Sequence, residues 1–203
     1  MSELMDLHEQ IVACSKCGLS RSRTRAVPGA GDPETRLMFV GEAPGFHEDH
    51  QGLPFVGAAG RLLDELLGSI GLDRSEVFIT NIIKCRPPSN RDPLRSEIEA
   101  CSPYLDRQVE LINPEIIATL GRFSMAYFLG AKVSISRIHG QPQRLKKHII
   151  YPLFHPAAAL RQKRFSADLQ EDFQRLRLIL ADELHVAGEE EEPEEPPAQL
   201  SLF

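Results

Sequence analysis

The chain has 203 residues, 42% hydrophobic and 26% charged, which suits one globular domain with a good core and room for a tail. No apolar run reaches the roughly 18 residues of a membrane span, and "MSELMDLHEQIVAC" lacks the basic start and continuous apolar stretch of a secretory leader, so the expected location is cytoplasmic. The formal charge of −6 resides in the six glutamates of the last fifteen residues; residues 1–188 are neutral, so overall acidity does not argue against a polyanionic partner.

In chain order, the first chemical signal is Cys14-Ser15-Lys16-Cys17, which has the spacing of metal ligands. Cys85 and Cys101 bring the total to four cysteines, and without an export signal disulfides are not expected. The set reads as a four-thiolate metal site. The second pair is too widely spaced for a zinc knuckle, and an iron–sulfur cluster fits at least as well. Basic clusters at 21–25, 144–148 and 161–164 read first as solvated surface.

Four segments read as buried strands: "RLMFVG" (36–41), "VFITNI" (77–82), "EIIATLG" (115–121) and "HIIYPLF" (148–154). The first opens into glycine-rich loops carrying Glu42, His47, Glu48, Asp49 and His50, with Phe55 set among glycines. Helical patterns lie between the strands. One places Leu62, Leu63, Leu66, Leu67 and Ile70 on a stripe and stops at Gly71. A second starts with Asp92 as N-cap and Pro93 at N1, and stops before Pro114. A third has a capping signal at Ser166 and a stripe through Leu169, Phe173, Leu176 and Leu180.

Alternating strands and helices predict an α/β fold, three layers α/β/α around a central four-stranded parallel sheet. Ligands of such sheets sit beyond the carboxyl ends of the strands. Glu42, Asn81 and His155 follow three of those ends and should therefore converge. Residues 1–185 form the expected domain. Residues 186–203, poly-Glu with Pro, cannot bury a core and are expected to be a disordered acidic tail. The tail ends in Gln199-Leu200-Ser201-Leu202-Phe203, an apolar tip on a solvated tether.

These residues together resemble the family 4 uracil-DNA glycosylases, iron–sulfur enzymes of DNA repair. The resemblance covers roughly residues 5–182. It rests on Gly41-Glu42-Ala43-Pro44-Gly45, Glu48-Asp49, Gly52, Pro54-Phe55-Val56-Gly57 and Ala59-Gly60; on Thr80-Asn81, Lys84-Cys85-Arg86-Pro87-Pro88, Asn90-Arg91 and Glu99-Ala100-Cys101; and on His155-Pro156-Ala157-Ala158. It implies a [4Fe-4S] cluster on Cys14, Cys17, Cys85 and Cys101 and uracil-containing DNA as substrate; with DNA as the partner of the site, a monomer is expected.

Within that resemblance, Gly41, Glu42, Ala43, Phe55, Asn81 and His155 form the uracil pocket. Phe55 stacks on a flipped base, Asn81 reads uracil O4 and N3–H, and His155 donates toward O2. Ala43 stands where the best-studied uracil-DNA glycosylases, of another family, have an Asp, so Glu42 is the remaining candidate to orient water or to stabilise a cationic sugar. Arg86, Asn90, Arg91, Arg161 and Lys163 suit phosphate contacts. A covalent-uracil-binding relative has a basic insert ending in His after the Asn strand; this chain lacks it, so turnover is expected. The terminal Gln199, Leu200, Leu202 and Phe203 resemble the peptide by which bacterial repair proteins bind the sliding clamp. Competing readings are a related glycosylase for another damaged base, a non-catalytic zinc-containing nucleic-acid-binding protein and a clamp-associated scaffold.

Overall fold

The computed structural model describes residues 2–182. Its elements are α1 (Ser2–Ala13), β1 (Ala30–Gly31), β2 (Leu37–Gly41), α2 (Phe46–Gln51), α3 (Ala58–Ser69), β3 (Phe78–Asn81), α4 (Arg95–Ile112), β4 (Ile116–Leu120), α5 (Arg122–Leu129), α6 (Ile135–Ile138), β5 (Gln143–Leu145), β6 (His148–Leu153), α7 (Pro156–Ala159) and α8 (Lys163–Leu180). The four predicted strands are present as β2, β3, β4 and β6, and they pair in parallel in the order β3-β2-β4-β6. All four are buried on both faces, which is why they read as continuous apolar runs.

Alternate residues of each strand feed opposite layers. Phe39, Ile79, Ala118 and Tyr151 face a core shared with Leu63 and Leu67 of α3 and Leu169, Phe173 and Leu176 of α8. Met38, Val40, Phe78, Ile117 and Ile150 face a second core with Leu4, Leu7 and Ile11 of α1 and Tyr104, Leu105 and Ile112 of α4. The two cores make the three expected layers.

Four features differ from the sequence expectations. The sheet has six strands, because β1 and β5 add to its edges in antiparallel pairing. Both are too short, at two and three residues, for an alternation to be read. His47, Glu48, Asp49 and His50 lie on the short helix α2, not in a loop. Helix α4 starts at Arg95 rather than after Asp92, because the Glu97 carboxylate accepts the Leu94 N–H at 2.8 Å, while Asp92 pairs with Arg122 at 2.6 Å. Helix α8 starts at Lys163, ahead of Ser166; Phe165 in its first turn packs on Phe154 with ring centroids 4.5 Å apart.

The order of the parallel strands puts the first of them, β2, between the second, β3, and the third, β4. The chain switches sides there, and a crevice opens at the carboxyl ends of the strands at such a point.

Candidate active site

A cleft of about 500 Å³ occupies that crevice, and Glu42, Phe55, Asn81 and His155 all line it. Gly41 and Asn81 are direct partners at the ends of β2 and β3. His155 follows β6 and starts α7. The predicted convergence of strand ends is therefore observed.

Close approach depends on two glycines. A Cβ on Gly41 would lie 2.3 Å from Asn81 Oδ1 and 2.8 Å from the Phe55 ring, so only glycine lets these two side chains meet over β2. Gly121, at φ 97°, follows β4; a Cβ there would come 3.2 Å from the His155 Cβ. Phe55 is 6% exposed and itself has a positive φ of 51°. Its ring lies near-parallel to that of His155, 5.7 Å centroid to centroid.

The conformation of Phe55 is held from outside. Glu48 on α2 accepts the Val56 and Gly57 N–H groups at 2.9 and 3.0 Å through one oxygen and the Gly45 N–H at 3.1 Å through the other. One carboxylate thus fastens both glycine-rich loops. Arg74 donates to the carbonyls of Pro54 and Phe55 from the far side. Asp49, buried, accepts the Thr24 N–H at 2.9 Å and docks α2 on the preceding segment. The sequence marks Glu48 and Asp49 as acids in the loop region. It does not show that they are scaffold.

Three polar groups in the cleft are left open. Asn81 Oδ1 is buried and has no hydrogen-bond partner in the structure, although Asn81 is 1% exposed. A buried amide oxygen without a partner is costly, and a ligand N–H would satisfy it. His155 Nδ1 accepts the Ala157 N–H at 3.1 Å, which assigns the proton of the neutral ring to Nε2. Burial pulls this imidazole down to about 4, with the Glu48 carboxylate opposing, so it is a neutral donor at pH 7. Glu42 is pushed up to about 7, first by burial and then by the like charge of Asp92, while Arg122 pulls the other way. A carboxylate poised near neutrality suits proton transfer.

The predicted phosphate-contacting residues divide. Asn90, Arg91 and Arg161 line the cleft. Arg91 is committed to Glu97 by two hydrogen bonds, at 2.9 and 2.6 Å, and its charge is largely answered there. Arg86 donates to Asn90 Oδ1 at 2.7 Å and lies over the Phe46 ring. Lys163 opens α8 beyond the residues that line the cleft. Next to Arg161 in the chain stands Leu160, 54% exposed, an apolar side chain outside the cleft lining that the sequence gives no reason to single out.

On the α1–α4 side of the sheet, Cys14, Cys17, Cys85 and Cys101 line one small cavity. Cys101 is on α4, which begins at Arg95, so the helix reaches back into the 85–101 segment. Among the described residues no three His, Cys, Asp or Glu side chains are arranged to hold a single metal ion. Three donors point at the sulfurs: Arg23 at Cys85 (3.1 Å), the Lys84 N–H at Cys101 (3.3 Å) and the Lys16 N–H at Cys14 (3.5 Å). Burial pushes the Cys101 thiol up to about 11, against the pull of Lys84, so its thiolate form calls for a bound cation. The donor set fits a cluster.

A family model described as "Uracil DNA glycosylase superfamily" matches residues 28–177. Three curated relatives carry the name type-4 uracil-DNA glycosylase. The protein of Sulfurisphaera tokodaii is 49% identical over 87% of this chain and 84% of its own length. That of Archaeoglobus fulgidus is 44% identical over 87% and 92%, and that of Saccharolobus solfataricus 46% identical over 89% and 88%.

Proposed function

Because the chain belongs to the uracil DNA glycosylase superfamily, we propose that it is a DNA-repair hydrolase that flips uracil out of DNA and hydrolyses its N-glycosidic bond, leaving an abasic site. The observation that carries this reading is the partnerless Asn81 Oδ1, set beside the Phe55 ring and the His155 donor on one cleft floor.

The chemistry follows from the open groups. Asn81 Oδ1 accepts uracil N3–H and its Nδ2 donates to O4; cytosine presents the opposite pattern at these atoms. Phe55 offers the base an aromatic face. As the N1–C1′ bond breaks, its electron pair leaves with uracil. The His155 Nε2–H donates to O2 and stabilises that charge without giving up a proton. Glu42, as the carboxylate, orients the water that attacks C1′ and favours the cationic sugar; the proton that water sheds as the C1′–O bond forms neutralises the departing uracil anion. Arg161 and Asn90 at the rim contact backbone phosphates, joined by Arg86 and Lys163. Leu160 is an apolar wedge for the gap left by the flipped nucleotide.

Cys14, Cys17, Cys85 and Cys101 would hold a [4Fe-4S] cluster whose contribution is structural, tying the N-terminal segment to the 85–101 segment. We further infer a two-part organisation, a catalytic domain of residues 1–185 and an acidic tail of 186–203. The tail, with Gln199, Leu200, Leu202 and Phe203, lies outside the described residues. Its sequence supports tethered binding to a sliding clamp. Deleting 199–203 should abolish clamp binding and leave excision from a short oligonucleotide intact; equal clamp affinity after deletion excludes the idea. The absence of any described helix long and apolar enough to cross a membrane is compatible with a cytoplasmic monomer acting on DNA.

The direct test incubates anaerobically purified protein with an oligonucleotide holding one uracil, followed by alkali. Cleavage at the uracil, slowed at least 100-fold in Asn81→Ala, is the expected result. A folded, brown protein that leaves the uracil intact refutes the assignment.

A further inference from the structure

Lys84 does not line the cleft, yet it occupies the junction between the cleft and the cysteine cavity. It is 1% exposed. Its amine donates to Thr80 Oγ1 at 2.6 Å, to the Asn81 backbone carbonyl at 2.7 Å and to Gln108 Oε1 at 2.6 Å. The direction of each bond is fixed by the next one along. The Thr80 hydroxyl donates onward to the Pro28 carbonyl at 2.9 Å, and Gln108 Nε2 donates to the same carbonyl at 2.7 Å. Both side-chain oxygens therefore present lone pairs to the Lys84 amine, which is held by three oxygen acceptors.

All three acceptors are neutral oxygens. On the cavity side, the Lys84 backbone N–H points at Cys101 Sγ, 3.3 Å away, and Cys85 is the next residue. On the cleft side, Asn81 is the last residue of β3. Beyond it the chain returns to β2 through Ile82 N–H to Gly41 O at 3.0 Å and Ile83 N–H to Glu42 O at 3.2 Å. Lys84 thus binds the carbonyl of the residue whose side chain faces the cleft, one residue before a cluster ligand.

We propose that Lys84 is a positioning residue for uracil recognition: its amine, on a backbone anchored at the cysteine centre, fixes the Asn81 peptide and so the amide that reads the base. This rests on the reading of the cleft as the uracil site and of the cysteines as cluster ligands. Without Lys84, the Asn81 carbonyl, Thr80 Oγ1 and Gln108 Oε1 all lose their donor, and the end of β3 is free to rotate. The cysteine centre then acts on specificity through one side chain, with no redox step.

The test is a double-mutant cycle between Lys84→Met and Asn81→Ala, read as single-turnover uracil excision, with iron per chain and the thermal melt measured on every variant. Hydrogen exchange of a peptide spanning residues 79–83 gives a readout independent of activity. Lys84→Met should keep its iron, exchange faster in that peptide, and excise uracil at least tenfold more slowly. It should cause no further loss in the Asn81→Ala background. Full activity in Lys84→Met overturns the proposal, and so does a loss of the same size in both backgrounds, which is what a merely structural role would give. Should Lys84→Met lose iron or unfold, Thr80→Val removes one acceptor without changing shape, and the same cycle decides on the same terms. A wild-type protein that releases no uracil refutes the assignment of the cleft instead, so the two failures are distinct.

Discussion

The cleft and the cysteine cavity are built from adjoining stretches of chain and differ in how their polar groups are used. Around the cavity, the Lys84 amine has three partners, and Cys14, Cys85 and Cys101 each receive an N–H donor. In the cleft, Asn81 Oδ1 has no partner, His155 uses one ring nitrogen, and burial keeps Glu42 near neutrality. The same contrast separates two acids six residues apart. Glu48 accepts three backbone N–H groups and holds loops, whereas Glu42 is free for chemistry. Satisfied groups stabilise the fold, and open groups await a ligand.

Substitutions in the two regions should therefore differ in kind. The largest effect on rate is expected from His155→Ala, which removes the donor for the departing base; excision should fall about 10³-fold with the melting temperature nearly unchanged. A parallel collapse of stability would move His155 into the scaffold.

Gly41→Ala should cost about 10²-fold, since its Cβ would displace both Asn81 and Phe55. The check is single-turnover excision together with the affinity for a uracil-containing strand, and both should suffer.

Glu42→Gln should slow excision about 10²-fold and at the same time stabilise the protein. The folded carboxyl titrates near 7 and its ordinary value is 4.5, so the folded state holds the proton more tightly and stability falls as pH rises between them. At pH 8 the substitution should recover roughly 1–3 kcal/mol in denaturant melts. His155 runs the other way: its folded value near 4 lies below the ordinary 6.5, so its contribution is full above 6.5 and is lost as pH falls toward 4.

The smallest effect concerns the acid limb of the rate profile. Asp92→Asn removes a like charge from Glu42 and should move the limb to lower pH. Arg122→Gln removes an opposing charge and should move it higher. Shifts in the same direction would show that Glu42 does not set the limb.

Much of this was legible in the sequence because it lies on strong local patterns. Four apolar runs bounded by Gly, Pro or Asn marked the parallel strands, and their ends marked Glu42, Asn81 and His155. Four kinds of feature were hidden. The edge strands at Ala30–Gly31 and Gln143–Leu145 are set by pairing with neighbours, not by a pattern of their own. The start of α4 was decided by the side chain of Glu97 rather than by the Asp-Pro signal at Asp92. The division of labour between Glu42 and Glu48 depends on which backbone amides each meets, and that is a tertiary fact. Lys84 reads as one more basic residue beside a cysteine, and its burial appears only when Thr80, Gln108 and Pro28 close around it.

The most direct measurement is the base released by Asn81→Asp from oligonucleotides that carry uracil or cytosine at one position. A carboxylate cannot donate to uracil O4 but can accept from the cytosine amine. If Asn81 reads the base edge, uracil release should fall at least 100-fold, and cytosine release, absent in the wild type, should become detectable. Undiminished uracil release by Asn81→Asp would contradict the assignment of Asn81 as the group that recognises the substrate.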